Sequence, residues 1–209
     1  FLLISVGNGV YIATAAAFSD RDRIAGGRVM RRPFVHSMLV STMLGAVVAG
    51  VCVVLLPPAF RAMGADGHDA RLANYFSIWL WTVPMMFVSA NTFAIIRNLG
   101  YLKAASAITF VANIVGVALS FALIPKGDGD AVWGIVGSAY STLATSVLST
   151  LISVGFVLWR SAPGGMSAFL AGLTEMARSI LGIGLPVLLS NVALFFFLSL
   201  ATRVFSGFG

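Results

Sequence analysis

Charge is scarce in this chain, and negative charge scarcer still: of 209 residues only 10% are charged, 13 Lys or Arg against 7 Asp or Glu. A soluble domain carries about 25% charge, so a water-facing globular surface is excluded. The seven acids (Asp20, Asp22, Asp66, Asp69, Asp128, Asp130 and Glu175) all fall between apolar runs. That excludes, within this chain, the intramembrane carboxylate that proton or sodium relays commonly use. Cysteine occurs once, as Cys52 inside an apolar run, so the chain can hold no internal disulfide or redox pair, and Cys52 reads as a small packing residue. With two histidines and no GxSxG, a hydrolytic triad has no residues to build on. Without GxxxxGK[ST], the chain does not cradle ATP by itself. These absences point away from an enzyme. The expectation is of no cofactor and no bound metal.

What remains is apolar sequence, 59% of the chain, with a mean hydropathy of +0.98. It falls into six segments, at about residues 1–18, 33–60, 71–97, 103–125, 131–159 and 176–207. At a rise of ~1.5 Å per residue, the run of about 22 residues from 103 reaches ~33 Å, enough to cross a hydrocarbon core of about 30 Å. The predicted fold is all-α, a polytopic transmembrane bundle with six helices visible. The net charge of +6 lies between the segments rather than on one solvated face, so topology accounts for it better than nucleic acid does. Loops after the first, third and fifth segments carry Arg21, Arg23, Arg28, Arg31, Arg32, Arg97, Lys103, Arg160 and Arg178. The opposite ends carry Arg61, Arg71, Lys126 and Arg203. Nine against four places the first set in the cytoplasm by the positive-inside rule, in a multi-pass protein of the inner or plasma membrane. Because Phe1 and Gly209 both abut apolar runs, with no charged leader region ahead of Phe1, the sequence reads as an internal piece of a longer membrane protein, without a signal peptide.

Residues 97–142 read as the unit around which the rest is organised: a basic turn, an apolar helix with one central amide (Asn113), an acidic glycine turn, and a second helix opening on Gly134, Gly137, Ser138 and Ala139. Small residues there suit close helix packing. Ser138, Thr142, Ser146 and Thr150, at i, i+4 spacing, predict one polar face on that helix, for packing or for lining a cavity. In the third segment Pro84 predicts a kink, and Trp79 and Trp81 an aromatic belt or packing. Pro57 and Pro58 should weaken the far end of the second segment, which Pro33 opens. Residues 161–175 are expected to form a loop, and Gly182, Gly184 and Pro186 to bend the start of the last helix. His36 reads as interfacial, with proton handling as the sharper alternative. Asp66, His68 and Asp69 share one glycine-bearing loop, a weak metal pattern.

The run Arg97-Asn98-Leu99-Gly100-Tyr101-Leu102-Lys103, then Asn113, then Gly134-x-x-Gly137-Ser138-Ala139-x-Ser141-Thr142, resembles the multidrug and toxic compound extrusion (MATE) family, with a basic R-x-x-G loop, a helix-five asparagine and a G-x-x-G-A-A-x-A-T start to helix six. The run GLPVLLSN, with Gly184, Leu185, Pro186 and Ser190, looks like the opening of that family's seventh helix. The resemblance implies helices two to seven of a twelve-helix, two-lobe transporter: residues 1–160 in the N-terminal lobe, 161–175 a cytoplasmic inter-lobe loop, and 176–209 the first helix of the C-terminal lobe. It also implies alternating-access export of small organic, drug-like or cationic compounds in exchange for protons or sodium, by a monomer in the bilayer. Asn113 and Thr142 match two members of the polar cluster of one branch. Tyr140, Asn191 and Asn8 are further transport or ion-coupling candidates. The same branch's aspartate position holds Val117, and another branch's helix-seven glutamate position holds Leu194. The departures leave room for a lipid-linked oligosaccharide flippase of the same superfamily, and more remotely for a membrane-embedded enzyme or scaffold.

Overall fold

A computed structural model describes residues 2–19, 24–25, 28–62, 70–124, 131–162 and 169–206. Its elements in chain order are α1 (Leu2–Ala17), β1 (Ile24–Ala25), β2 (Arg28–Met30), α2 (Arg31–Ala62), α3 (Ala70–Leu80), α4 (Thr82–Asn98), α5 (Leu102–Leu123), α6 (Ala131–Trp159), β3 (Ser161–Ala162) and α7 (Phe169–Ser206). Four stretches among the described residues are long and apolar enough to cross a bilayer: Arg31–Val54, Asn74–Asn98, Leu102–Leu123 and Ile135–Trp159. The expected all-α membrane bundle is what the chain forms. The fifth predicted segment, 131–159, coincides with α6.

The organising element differs from the one expected. α4, not the hairpin of α5 and α6, stands at the centre, packed against α1, α2 and α6. Nine of the 17 residues of α4 are buried, against three of the 22 of α5 (Ala105, Ile108 and Ala112), which lies at the edge. α4 offers Ile95 and Ile96, both fully buried, to Phe18, Phe34, Val157 and Ile180 of its neighbours, while Phe87, 1% exposed, packs with Val10 of α1 and with Leu44 and Val48 of α2. α7 then packs on α1 and α2, closing a ring of α1, α4, α2 and α7. A small apolar cavity of about 50 Å³ remains where Val10, Leu44, Val48, Ile180 and Leu185 meet.

Proline and glycine explain the local geometry. The third segment breaks at Trp81, between α3 and α4, so Pro84 sits in the first turn of α4, where a missing N–H leaves no donor unmet. The Thr82 hydroxyl donates to the Trp79 carbonyl at 2.6 Å, satisfying an acceptor that the break releases. Trp81 is 70% exposed, and Trp79 packs edge-on against Phe76. Gly45 on α2 faces Pro84 so closely that a Cβ there would lie 2.7 Å from the Pro84 Cα. The expected weakening at Pro57 and Pro58 does not interrupt α2, which continues to Ala62.

Two other expectations need correcting. α7 begins at Phe169 and runs as one helix through Gly182, Gly184 and Pro186, so part of the predicted 161–175 loop is helix and the expected irregular start does not interrupt it. Glu175 is therefore a helical residue, exposed on α7, and not a loop acid. The second correction is a small sheet, ordered β1-β2-β3. β1 and β2 pair antiparallel (Ile24 with Val29), and β2 and β3 pair parallel (Val29 with Ser161, Met30 with Ala162). It ties the basic loop after α1 to the end of α6, with Val29 fully buried. The two loops therefore lie at one end of the bundle, as the charge alternation requires.

Candidate functional site

Polar side chains among the described residues gather in three settings. The first is the α5–α6 hairpin, held by very close backbone approach. A Cβ on Gly116 would lie 2.6 Å from the Thr145 Oγ1, and one on Gly137 would lie 2.8 Å from the Leu123 carbonyl oxygen. Ser141 donates to the Gly116 carbonyl at 2.8 Å and lies 2.8 Å from the Ser120 hydroxyl. This is the tight packing predicted for the opening of α6, with Ala139 fully buried.

The predicted site residues lie on the open side of this hairpin and beyond it. Asn113 on α5 and Thr142 on α6 are both exposed, as are Asn8 on α1 and Tyr140, the last at 46%. Thr142 donates to the Ser138 carbonyl of its own helix at 2.9 Å. The Gly116–Thr145 and Ser120–Ser141 contacts fix an antiparallel register, in which Asn113 and Thr142 differ in depth by roughly six residues, or ~9 Å along the axis. No hydrogen bond joins the two among the described residues. Asn191 lies within α7, and its side chain is outside the described residues, as are Asp66, His68 and Asp69. The position where the related branch has an aspartate, Val117, is 56% exposed.

The second setting is a buried polar layer around α4 that the sequence reading did not assemble. The Asn91 amide, fully buried, donates through Nδ2 to the Ser41 Oγ at 2.8 Å, and its Oδ1 is buried without a hydrogen-bond partner. On the other side of α4 the Thr92 hydroxyl lies 2.8 Å from Ser153 Oγ. The Ser89 and Thr150 hydroxyls are 2.7 Å apart, and Thr150 also reaches the Met85 carbonyl at 3.2 Å. The predicted single face of Ser138, Thr142, Ser146 and Thr150 thus divides: Thr150 turns to α4 while Thr142 is exposed. Asn91 and the hydroxyls of α6 were visible as polar residues. Their pairing across helices depended on which helix sits in the centre. In hydrocarbon such bonds replace unsatisfied groups, and each contributes about 0.6 kcal/mol.

The third setting is the basic end. α4 stops at a left-handed glycine: Gly100 has φ 85°, its N–H donates to the Arg97 carbonyl, and the Tyr101 N–H donates to that of Ile96. That is a Schellman cap, and it requires glycine because a Cβ disfavours positive φ. The turn so formed aims Arg97 at Tyr11, whose hydroxyl accepts from Nη1 at 3.1 Å, and lets Asn98 donate to the Ala15 carbonyl at 2.7 Å. The R-x-x-G run is therefore a helix stop that clamps α4 to α1. His36, buried near the start of α2, stands against Gly172 of α7: a Cβ there would lie 2.5 Å from the His36 Cε1. That contact seats its ring at the crossing of α2 and α7.

The family model described as MatE matches residues 1–122, more than half of the chain. The chain belongs to the MatE family. MatE membership makes it a multi-pass membrane protein of a transporter family. Among its relatives is the Probable multidrug resistance protein YoeA of Bacillus subtilis (strain 168), 26% identical over 168 residues, which cover 78% of this chain and 35% of that protein. Among solved structures, an outward-facing multidrug resistance MATE family transporter of the MOP superfamily matches with a TM-score of 0.64 and 27% identity, over 96% of this chain and 44% of that one. An inward-facing MATE transporter matches with a TM-score of 0.59 and 26% identity, over 91% and 42%. The chain thus spans about a third of that relative and under half of each solved MatE structure.

Proposed function

We propose that the complete protein is a multidrug exporter that moves small, amphipathic or cationic organic compounds out across the plasma or inner membrane, and that this chain supplies its helices two to seven. The observation that carries the reading is the similarity, over more than nine-tenths of the chain, to both an outward-facing and an inward-facing MATE transporter. Alternating access needs one lobe that keeps its packing while it rocks against another. A lobe built on a buried α4, with interhelical contacts at Gly45 and Gly116 too close to admit a Cβ, suits rigid-body movement. Asn113, Thr142, Tyr140, Asn191 and Asn8 remain the transport candidates, and all but Asn191 have described side chains. Those four are polar groups on an apolar, exposed surface that the remaining helices would face. The buried Ser41–Asn91 and Thr92–Ser153 pairs belong to the packing of the lobe.

Coupling to protons or sodium is part of the proposal, with its acidic residue elsewhere in the full protein. Val117, exposed where a related branch has an aspartate, favours a second reading, a flippase for lipid-linked oligosaccharides. Efflux of a cationic dye from cells expressing the complete reading frame, with and without an imposed proton or sodium gradient, separates the two. Gradient-dependent export that Asn113→Ala reduces is the expected result. Absence of export of every compound tested, with normal membrane expression, overturns the exporter.

A further inference from the structure

Arg160 ends α6 in a setting that the transport reading does not use. Its guanidinium carbon lies 4.6 Å from the centroid of the Tyr101 ring and 4.3 Å from that of the Trp159 ring. The rings are themselves fixed: Phe156 meets Tyr101 edge-on at 5.5 Å and Trp159 at 5.9 Å. Ring faces hold a cation by their quadrupole but leave its in-plane N–H donors unused. Here no described residue accepts a hydrogen bond from the guanidinium, and its Nε is buried without a partner. A held cation with idle donors is matched by an oxyanion, which a planar fork engages through two parallel bonds.

The surroundings narrow that anion to one attached to a hydrocarbon chain. Trp159 is 71% exposed, and Leu158 of α6 and Leu102 of α5 are 43% and 61% exposed, so the cation borders an apolar surface of the membrane span. A second cation stands close by register. Arg28 opens β2 and Arg160 lies immediately before β3; because Val29 pairs with Ser161 in the parallel β2–β3 ladder, the two arginines lie side by side at the strand spacing of about 4.8 Å. Lys103, exposed in the first turn of α5, lies two residues past Tyr101. Glu175, on α7, is the only acid among the described residues. The charge bias puts this end at the cytoplasmic leaflet, where anionic lipids concentrate and basic pockets between helices take their headgroups.

We propose that Arg160, seated between Tyr101 and Trp159 and beside Arg28, is a binding site for the phosphate of an anionic phospholipid, whose acyl chains lie along Leu102 and Leu158. The site is independent of the substrate pathway, and export need not occur for it to be measured. The full-length protein in detergent is titrated with phosphatidylglycerol, with phosphatidylcholine and with inorganic phosphate, and bound lipid is counted by native mass spectrometry. Phosphatidylglycerol is retained in preference to phosphatidylcholine. Arg160→Gln weakens that retention about fivefold, the share of one cation at the membrane surface. Arg160→Lys, which keeps the charge but not the stacked fork, recovers part of it. Arg178→Gln, an exposed arginine on α7, leaves it unchanged. Unaltered retention in Arg160→Gln overturns the site, and equal retention of the two lipids overturns the anionic preference. Displacement of the lipid by millimolar phosphate overturns the lipid assignment in favour of a soluble phosphate compound. Should Arg160→Gln not fold, the wild type answers through Trp159 emission, isolated as the difference from Trp159→Phe. Brominated phosphatidylglycerol then quenches it more than brominated phosphatidylcholine, and equal quenching overturns the proposal.

Discussion

Adding one methyl group at Gly45 tests the central packing claim. Alanine is the better helix former, by about 0.8–1.0 kcal/mol in an exposed helix, so on propensity alone Gly45→Ala should stabilise α2. Against that, the new Cβ would lie 2.7 Å from the Pro84 Cα and 3.4 Å from the Phe87 Cβ and Cγ. The first contact is backbone, in the first turn of the helix around which the lobe packs, and cannot rotate away. Restoring ordinary contact requires α2 and α4 to separate by roughly 1 Å, and overpacking of that size costs about 1–3 kcal/mol. Separation would also stretch the Asn91–Ser41 hydrogen bond, one turn further along the same interface. Gly50 supplies the internal control. It lies on the same helix with nothing within 4 Å of a built Cβ, so Gly50→Ala carries the propensity gain without the clash. Thermal unfolding of the purified full-length protein in one detergent, followed by size-exclusion fluorescence, should give a midpoint several degrees lower for Gly45→Ala than for Gly50→Ala. Equal midpoints would refute the reasoning, because the α2–α4 crossing would then have slack that the geometry denies.

Further outcomes follow from the other contacts. Asn91→Ala should lower stability by about 0.6–2 kcal/mol, and the Asn91→Ala/Ser41→Ala double variant by less than the sum of the singles; additivity in the unfolding cycle would mean the pair does not interact. Gly100→Ala, at φ 85°, should cost about 1–2 kcal/mol although a Cβ there meets nothing within 4 Å, so a neutral midpoint would remove the left-handed cap. Asn113→Ala should leave the unfolding midpoint within about 0.5 kcal/mol of wild type, as surface changes do, while dye export falls. A loss of both together would make Asn113 a packing residue.

The helices were legible because membrane-crossing segments must be apolar throughout and long, and both properties are linear in sequence. α6 ends where the apolar run ends. The tight hairpin was legible too, since Gly137 and Ala139 allow close approach whatever their partner. Centrality was not. Phe87, Ile95 and Ile96 of α4 look no more apolar than Phe110, Val111 and Ile114 of α5, yet the first three are buried and the last three are exposed. In a span that is greasy on every side, composition does not say which side meets protein. The continuity of α7 through Gly182, Gly184 and Pro186 went unread for a related reason: rules taken from water penalise these residues more than a membrane helix does. Of the candidate site, Asn113 and Thr142 were identifiable as polar residues within apolar runs. The Asn91–Ser41 pair needed two helices whose contact nothing local predicts. The strands had no alternation long enough to detect.

Those strands bear on how the chain is made. Val29 and Ser161, which face each other across the β2–β3 ladder, are 161 − 29 = 132 positions apart. A ribosome that has delivered the first hairpin into the bilayer has not yet synthesised the residue that Val29 will pair with. The segment between α1 and α2 can close its own β1–β2 pairing early, but must wait through the insertion of α3 to α6 for its hydrogen bonds to β3. Pairing with β3 is then a late contact, added to α1 and α6 that both pack on α4, and a nascent chain truncated before Ser161 would carry a complete set of earlier helices with that ladder still open.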